Sequence, residues 1–347
     1  MQAPQSPFDI LDGVAALTGL RDRDLLDQQL VAVLARWLAV DQAHLHRLSG
    51  DEADLRWLTT FRQTTAGQTP DAVPLWMDWR ALPTQGDRPD WAHCASIAEP
   101  HYAQHPTPAL LLPLPGDHTP QGVLELCGAP ALDAQTLEQL MKFMRVWRHV
   151  QGLIDYSERD SLTGLFNRKS FDESFYKASA LPKARDDDGN ERRQDTSTGG
   201  WWLALLDIDH FKSVNDRFGH LIGDEVLLLL SRVMRQCFRF YDQLYRFGGE
   251  EFVVLLRCPE EAGAMSALQR FREAVRQFPF PQVQQLTVSI GFTDVRPGDT
   301  PSAAVERADK AVYFAKRNGR DQVRHHATLL RDGDLEEDKP DSDVELF

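Results

Sequence analysis

Residues 201–206, "WWLALL", are apolar without interruption and run straight into "DIDHFK". A half-exposed strand alternates apolar and polar side chains, so an unbroken run of this length reads as a strand buried on both faces. This one feature asks for a sheet covered on either side. It also sets two carboxylates, Asp207 and Asp209, at the strand's end, a common place for ligand-binding groups.

A second stretch, "RFGGEEF" at residues 246–252, lies between the apolar runs "DQLY" and "VVLL". It reads as two strands joined at a two-residue Gly248-Gly249 turn, where glycine admits positive φ and lets a ligand approach the backbone. Glu250 and Glu251 follow, and are expected to point to opposite sides of the strand. If the strand ending at Asp207 lies beside this hairpin, Asp207 and Glu250 converge, and a divalent cation relieves their repulsion. Hard oxygen ligands without a His or Cys cluster favour magnesium or manganese, with phosphate completing the coordination. The residues alone therefore point to metal-assisted phosphoryl transfer. A solvent-exposed acidic turn is the usual explanation of an isolated Glu-Glu pair, but the glycine pair and the second acid cluster weigh against it.

Composition narrows the remaining classes. With 347 residues, 42% of them hydrophobic, the chain has enough material for two packed domains. A formal net charge of −14 argues against bulk attraction to nucleic acid or anionic lipid. Cys94, Cys127, Cys237 and Cys258 are widely spaced without a CxxC pair, as expected of reduced thiols in a cytoplasmic protein. No secretory pattern or membrane-length apolar stretch is present, so neither membrane insertion nor a nucleic-acid partner is expected.

The chain divides into four parts: a module over 1–132, a helix over 133–159, a domain over 160–325 and an acidic tail over 326–347. In the first, residues 24–38 have helical periodicity, "QAHLHRL" and "LRWLTTF" read as strands, and "PALLLPLPGDHTPQGVLELCG" reads as a hairpin. Residues 133–159 contain no proline and carry two apolar stripes: Leu137, Leu140, Met141, Met144, Trp147, Gln151 and Ile154, then Phe143, Val146, Val150 and Leu153. That pattern fits either a helix packed on its own domain or a parallel coiled-coil stalk between two protomers. Residues 181–200 read as a charged solvent loop, and the tail, above all 332–347, reads as disordered.

Several ordered motifs, "DSLTGLFNR", "DIDHFKSVND", "GDEVL", "RFGGEEF" and "AKRNGR", together resemble the GGDEF domain of diguanylate cyclases in its GGEEF variant. The resemblance implies an α/β (α+β) fold, a mixed sheet flanked by helices akin to nucleotidyl cyclase and polymerase palm domains, that condenses two GTP into cyclic di-GMP. It implies that Asp207, the carbonyl of Ile208 and Glu250 hold Mg2+ (or Mn2+), with Glu251 beside the metals and Glu250 the candidate base. Lys212 would stabilise phosphate charge, Asn215 and Asp224 would read guanine, and Phe211, His220, Arg246, Lys316 and Arg320 would complete the substrate site. Arg239 and Asp242, an RxxD pair, look like the family's inhibitory site for the product. Two protomers would each bring one GTP.

Taken singly, these residues have plainer readings. Asn215 and Asp224 fit a turn residue and a helix N-cap, Lys316 and Arg320 fit charges favoured at a helix C-terminus, and RxxD fits a local salt bridge. Phe166 and the long loop near 186–199 depart from the pattern without removing a catalytic group. The order of elements over 15–150 resembles a GAF-type sensory domain, which implies a small-molecule or protein signal; His44, His46, Trp76, Trp79 and Cys94 are its pocket candidates. Two alternatives remain beside the cyclase: a catalytically silent GTP or cyclic di-GMP receptor, and a cyclase of altered base choice.

Overall fold

The computed structural model describes residues 7–51, 54–64, 67–70, 81–104, 108–116, 122–179, 200–239 and 241–336. Trp76, Trp79, the loop over 181–199 and the end of the tail, 337–347, lie outside the described residues. The chain forms two compact units, Met1–Ser157 and Glu158–Phe347.

The first unit is built on a six-stranded antiparallel sheet in the order β3-β2-β1-β6-β5-β4. The strands are β1 (Gln42–Asp51), β2 (Asp54–Thr64), β3 (Gly67–Pro70), β4 (His101–Ala103), β5 (Ala109–Leu114) and β6 (Gly122–Cys127). Two of its pairs, β1 with β2 and β5 with β6, are the hairpins expected from the sequence. Alternation assigns the faces. Ala43, Leu45, Leu110, Leu112, Leu124 and Leu126 share a core with helices α1 (Pro7–Thr18), α2 (Arg23–Trp37) and α4 (Ala134–Glu158). Leu48, Trp57, Leu111 and Val123 pack on the other face with Trp91 and Cys94 of α3 (Pro89–Ile97). Asp22 starts α2 by accepting a hydrogen bond from the Leu25 N–H, 3.0 Å.

Helix α4 draws on both apolar stripes. Leu140, Met144, Trp147 and Ile154 from one, with Phe143 and Val150 from the other, are buried in the first unit's own core. Of the two readings of this helix, packing on its own domain accounts for most of the apolar surface. Leu153, 70% exposed, and Tyr156, 84% exposed, remain on the outside.

The second unit has a mixed six-stranded sheet, β12-β11-β8-β10-β9-β7. Its elements run β7 (Phe166–Asn167), α5 (Arg168–Ser179), β8 (Gly200–Ile208), α6 (Phe211–Phe218), α7 (His220–Cys237), β9 (Gln243–Gly248) and β10 (Glu251–Cys258). There follow α8 (Glu261–Gln277), β11 (Val288–Asp294), α9 (Pro301–Arg317), β12 (Val323–His325) and α10 (His326–Arg331). The continuous apolar run is β8, central and buried on both faces. Trp202, Ala204, Leu206 and Ile208 pack with α6, α7 and α8, whereas Leu203 and Leu205 pack with α5 and α9.

One boundary is corrected. The acidic tail was expected from residue 326, but residues 326–331 form α10, with His326 and Leu329 buried. A buried Leu and a His anchor this turn of helix where net acidity alone implied solvent. No helix among the described residues is long and apolar enough to cross a membrane.

Candidate active site

The alternation along β8 decides where Asp207 goes. Leu203 and Leu205 face α9, and Asp207 is next in that series, so its carboxylate reaches the α9 side, where Lys316 Nζ sits 2.7 Å from Oδ2. Helix α9 lies close to the sheet because Gly291 of β11 has no side chain. A Cβ there would come within 2.2 Å of the Ala308 carbonyl oxygen and 2.4 Å of the Val312 nitrogen. Gly291 was not among the residues singled out from the sequence. Its signal is a lone glycine inside an apolar strand, which marks close approach of another backbone.

Strand β10 pairs antiparallel with β8 and sets Glu251 directly opposite Asp207. Like charges across a strand pair repel. The other Asp207 oxygen, Oδ1, is buried with no hydrogen-bond partner among the described residues. Burial and the neighbouring Glu251 and Asp209 charges push the Asp207 carboxyl above its ordinary value, with Lys316 pulling the other way. Glu250 is likewise raised, by burial first and then by Asp207. An orphaned carboxylate oxygen beside two further carboxylates is a donor set that fits a hard divalent cation.

The hairpin differs in detail from the sequence reading. Gly248 is the last residue of β9 and pairs with Glu251, so the two turn residues are Gly249 and Glu250. Gly249 has φ +50°, a conformation side chains disfavour. Glu250 therefore stands in the turn, half-buried, and does not share the strand with the exposed Glu251.

Asp209, two residues after Asp207, has the opposite fate. Its carboxylate accepts from Thr287 Oγ1 and Ser289 Oγ, each at 2.7 Å, and from the Asp321 N–H at 3.0 Å. It is a structural acid. It ties β8 to the turn after α9, where Gly319, Arg320 and Asp321 all have positive φ. Arg320 is exposed on this turn.

Arg246 takes a different place from that expected. Its Nε and one terminal nitrogen donate to the Gly249 carbonyl at 3.2 and 2.9 Å, and the other donates to Asp160 Oδ1 at 3.0 Å. All three nitrogens brace the hairpin, which gives Arg246 a positioning role. Asp160, from "DSLTGL", also accepts from the Thr163 N–H and hydroxyl at 2.8 and 2.7 Å. Burial would raise its pKa, but these bonds and Arg246 hold the carboxyl below its ordinary value.

Ile208 and Phe211 have side chains buried in the core, which leaves only their backbone for a ligand. Lys212, His220 and Asp224 are exposed. Asn215 Oδ1 lies where a Cβ on Gly223 would fall, 2.0 Å from it, so this glycine admits Asn215 against α7 one residue before Asp224. The two expected guanine readers thus lie on adjoining helices.

At RxxD, Asp242 is buried and accepts from the Arg239 N–H at 2.9 Å and the Arg257 N–H at 3.2 Å. Burial raises its pKa against the pull of those bonds. Arg239 is exposed, bonded to the Tyr241 hydroxyl, with its guanidinium 5.6 Å from that ring's centre. The pair is not a simple side-chain salt bridge: Asp242 closes the turn and Arg239 extends from it.

Residues 157–322 match the family model of the diguanylate cyclase GGDEF domain. They are a GGDEF domain. Diguanylate cyclase DgcP of Pseudomonas aeruginosa is 41% identical over 167 residues, 47% of this chain and 23% of that protein. Diguanylate cyclase DgcZ of Escherichia coli is 33% identical over 169 residues, 48% of this chain and 52% of that protein. The chain thus spans about half, or less, of these curated relatives. The coiled coil and GGDEF domain of DgcB from Caulobacter crescentus, solved with c-di-GMP, is 29% identical with a TM-score of 0.46, covering 55% of this chain and 97% of that one. The GGDEF match covers the second unit as far as the residue before β12 and leaves the first unit, apart from Ser157, outside it.

Proposed function

We propose that the chain is a diguanylate cyclase that condenses two GTP into cyclic di-GMP and releases two pyrophosphates. The observation that carries this reading is the buried, unpartnered Oδ1 of Asp207, directly across from Glu251 at the end of the GGEEF hairpin. Mg2+ or Mn2+, held by Asp207, Glu250 and the Ile208 carbonyl with Glu251 alongside, would neutralise triphosphate charge when bound. Glu250, whose proton affinity burial and Asp207 raise, is the candidate base for the 3′-hydroxyl of GTP. That oxygen bonds to the α-phosphorus of the second GTP, and pyrophosphate leaves; repeating the step in the other direction closes the ring. Lys316, Lys212 and Arg320 receive phosphate charge, and Asn215 with Asp224 meets the donor and acceptor edge of guanine.

Because each GTP attacks the other, the reading requires a homodimer with two half-sites facing each other. The first unit serves as a GAF-like sensor for a small-molecule or protein signal, a reading supported by its antiparallel sheet packed on both faces. Product feedback through Arg239 is supported by its exposure, with Asp242 holding the turn beneath it.

Purified protein incubated with GTP and Mg2+, with products identified by mass spectrometry, tests the activity. Glu250→Gln is expected to abolish product while the circular dichroism spectrum stays that of the wild type. Retained turnover in the folded variant removes Glu250 from the chemistry. Arg239→Ala is expected to keep the initial rate and weaken inhibition by added cyclic di-GMP; unchanged inhibition returns Arg239 to a surface contact of Tyr241.

A further inference from the structure

The second face of the first unit's sheet carries an unexpected group of polar side chains. Antiparallel register sets His44 opposite Glu125 and Gln42 opposite Cys127. His44 and His46 share one side of β1, and Val123, Glu125 and Cys127 share one side of β6. These are the residues of the α3 face, where Val123, Leu111 and Ala109 are buried and apolar. A carboxylate and two imidazoles among such neighbours need partners.

Those partners are present and ordered in two layers. His44 Nδ1 lies 3.2 Å from Glu125 Oε2, and the Cys127 sulfur joins them: one ligand atom from each of the three residues falls within 4.8 Å of the others. Around this set, His46 Nε2 approaches the same Glu125 oxygen at 3.4 Å, while its Nδ1 meets Thr59 Oγ1 at 2.9 Å. The Trp91 N–H donates to Glu125 Oε1 at 3.4 Å, and the Trp91 ring stacks on His46 with centres 3.8 Å apart. A carboxylate oriented from behind by an imidazole and an indole resembles the outer support that metal ligands receive in proteins.

We propose that His44, Glu125 and Cys127 form a binding site for a borderline divalent transition metal, zinc by chemistry, on the α3 face of the first unit. Nitrogen, oxygen and sulfur donors together suit zinc and disfavour magnesium or calcium. Tetrahedral zinc ligands at about 2.0–2.3 Å stand roughly 3.3–3.8 Å apart; His44 and Glu125 are already at that spacing, and the Cys127 sulfur, within 4.8 Å of both, has at most about 1.5 Å to close. The ion replaces the His44–Glu125 hydrogen bond and displaces the thiol proton of Cys127 to solvent. Three protein ligands leave a fourth position for water or an incoming ligand. The set is chemically distinct from the all-oxygen carboxylates of the GGDEF domain, so its test is independent of cyclase activity.

The test uses the full chain carrying Asp207→Asn, which removes a carboxylate from the GGDEF site, stripped with chelator and titrated with Co2+. The expected result is one tightly bound Co2+ per chain with tetrahedral visible bands and a thiolate-to-cobalt charge-transfer band, both displaced by Zn2+. Cys127→Ser abolishes the charge-transfer band, Cys258→Ser keeps it, and His44→Ala weakens Co2+ binding at least about tenfold. In otherwise unmodified protein, Zn2+ slows alkylation of Cys127 and not of Cys258, which keeps the proposal testable if a substitution impairs folding. No charge-transfer band in the stripped, folded chain, a band that survives Cys127→Ser, or no protection of Cys127 from alkylation overturns the site.

Discussion

Each unit sets a carboxylate on a sheet covered on both faces, Asp207 buried and Glu125 half-buried, yet the two meet opposite conditions. Glu125 is approached by His44, His46 and Trp91, and although burial alone would raise its pKa, the bonds from the two imidazoles hold it well below the ordinary range. Among the described residues, Asp207 has Lys316 as its cationic partner, an acid across the strand and a buried oxygen without a hydrogen bond, and its pKa is raised. At least partial burial is common to both. What separates them is the partner inventory: nitrogen and sulfur groups close around Glu125, while Asp207 is left with charge that only a cation or a proton can satisfy.

The largest expected effect comes from setting Asp207 against Asp209. Asp207→Asn should lower GTP turnover by at least about a hundredfold with the denaturation midpoint nearly unchanged. Asp209→Asn should instead lose about 1–3 kcal/mol of stability, because an amide cannot accept from Thr287, Ser289 and the Asp321 N–H together. Chemical denaturation beside initial rates distinguishes the two, and a stable, active Asp209→Asn protein would erase the contrast.

Next in size is Gly291→Ala. Its Cβ would meet backbone of α9, which cannot step aside cheaply, so a loss of about 1–3 kcal/mol is expected together with reduced turnover as Lys316 is displaced. Gly223→Ala meets the end of the Asn215 side chain and, at 3.4 Å, the edge of the Phe211 ring, with no backbone in the way. It should leave the melting temperature close to wild type and raise KM for GTP several-fold. Equal melting shifts in the two variants would mean that Asn215 is a packing group.

A smaller change is expected at Trp91. Trp91→Phe removes the N–H from Glu125 while keeping a ring against His46, and should cost about 1 kcal/mol in thermal or chemical unfolding of the first unit. No measurable cost would show that the 3.4 Å contact does not hold the carboxylate.

The smallest effect is one of pH. Folding holds the Asp160 carboxyl below its ordinary 3.8, so its contribution is complete above that value and fades as pH falls through the lowered one. Between pH 5 and pH 3, wild type should therefore lose more stability than Asp160→Asn, and parallel losses would remove Asp160 as a brace of the hairpin.

Much of the second unit was legible because its signals are local. An unbroken apolar run marks β8, the glycines mark the hairpin, and Thr300 followed by Pro301 marks the start of α9, where the threonine hydroxyl accepts from the Ala303 N–H at 3.2 Å. The bracing by Arg246 was not legible because its acceptors lie on residue 160 and in the turn, which no spacing reveals. Helix α4 kept two readings because apolar periodicity records that surface is buried, without recording against what. The His44–Glu125–Cys127 group was missed for a related reason: alternate residues of two strands, with His44 and Glu125 81 positions apart, carry no shared pattern until register aligns them.

By itself the sequence determined the β1–β2 and β5–β6 hairpins, the helix over 133–159, the two-sided burial of β8 and the presence of carboxylates at its end and in the GGEEF turn. These follow from backbone sterics and side-chain period, which act between near neighbours. Tertiary structure decided which carboxylate is satisfied and which is not. Asp207 and Asp209 are the same residue type two positions apart, and only the packing of β10, β11, α9 and the 319–321 turn sets three donors on one and leaves a bare oxygen on the other.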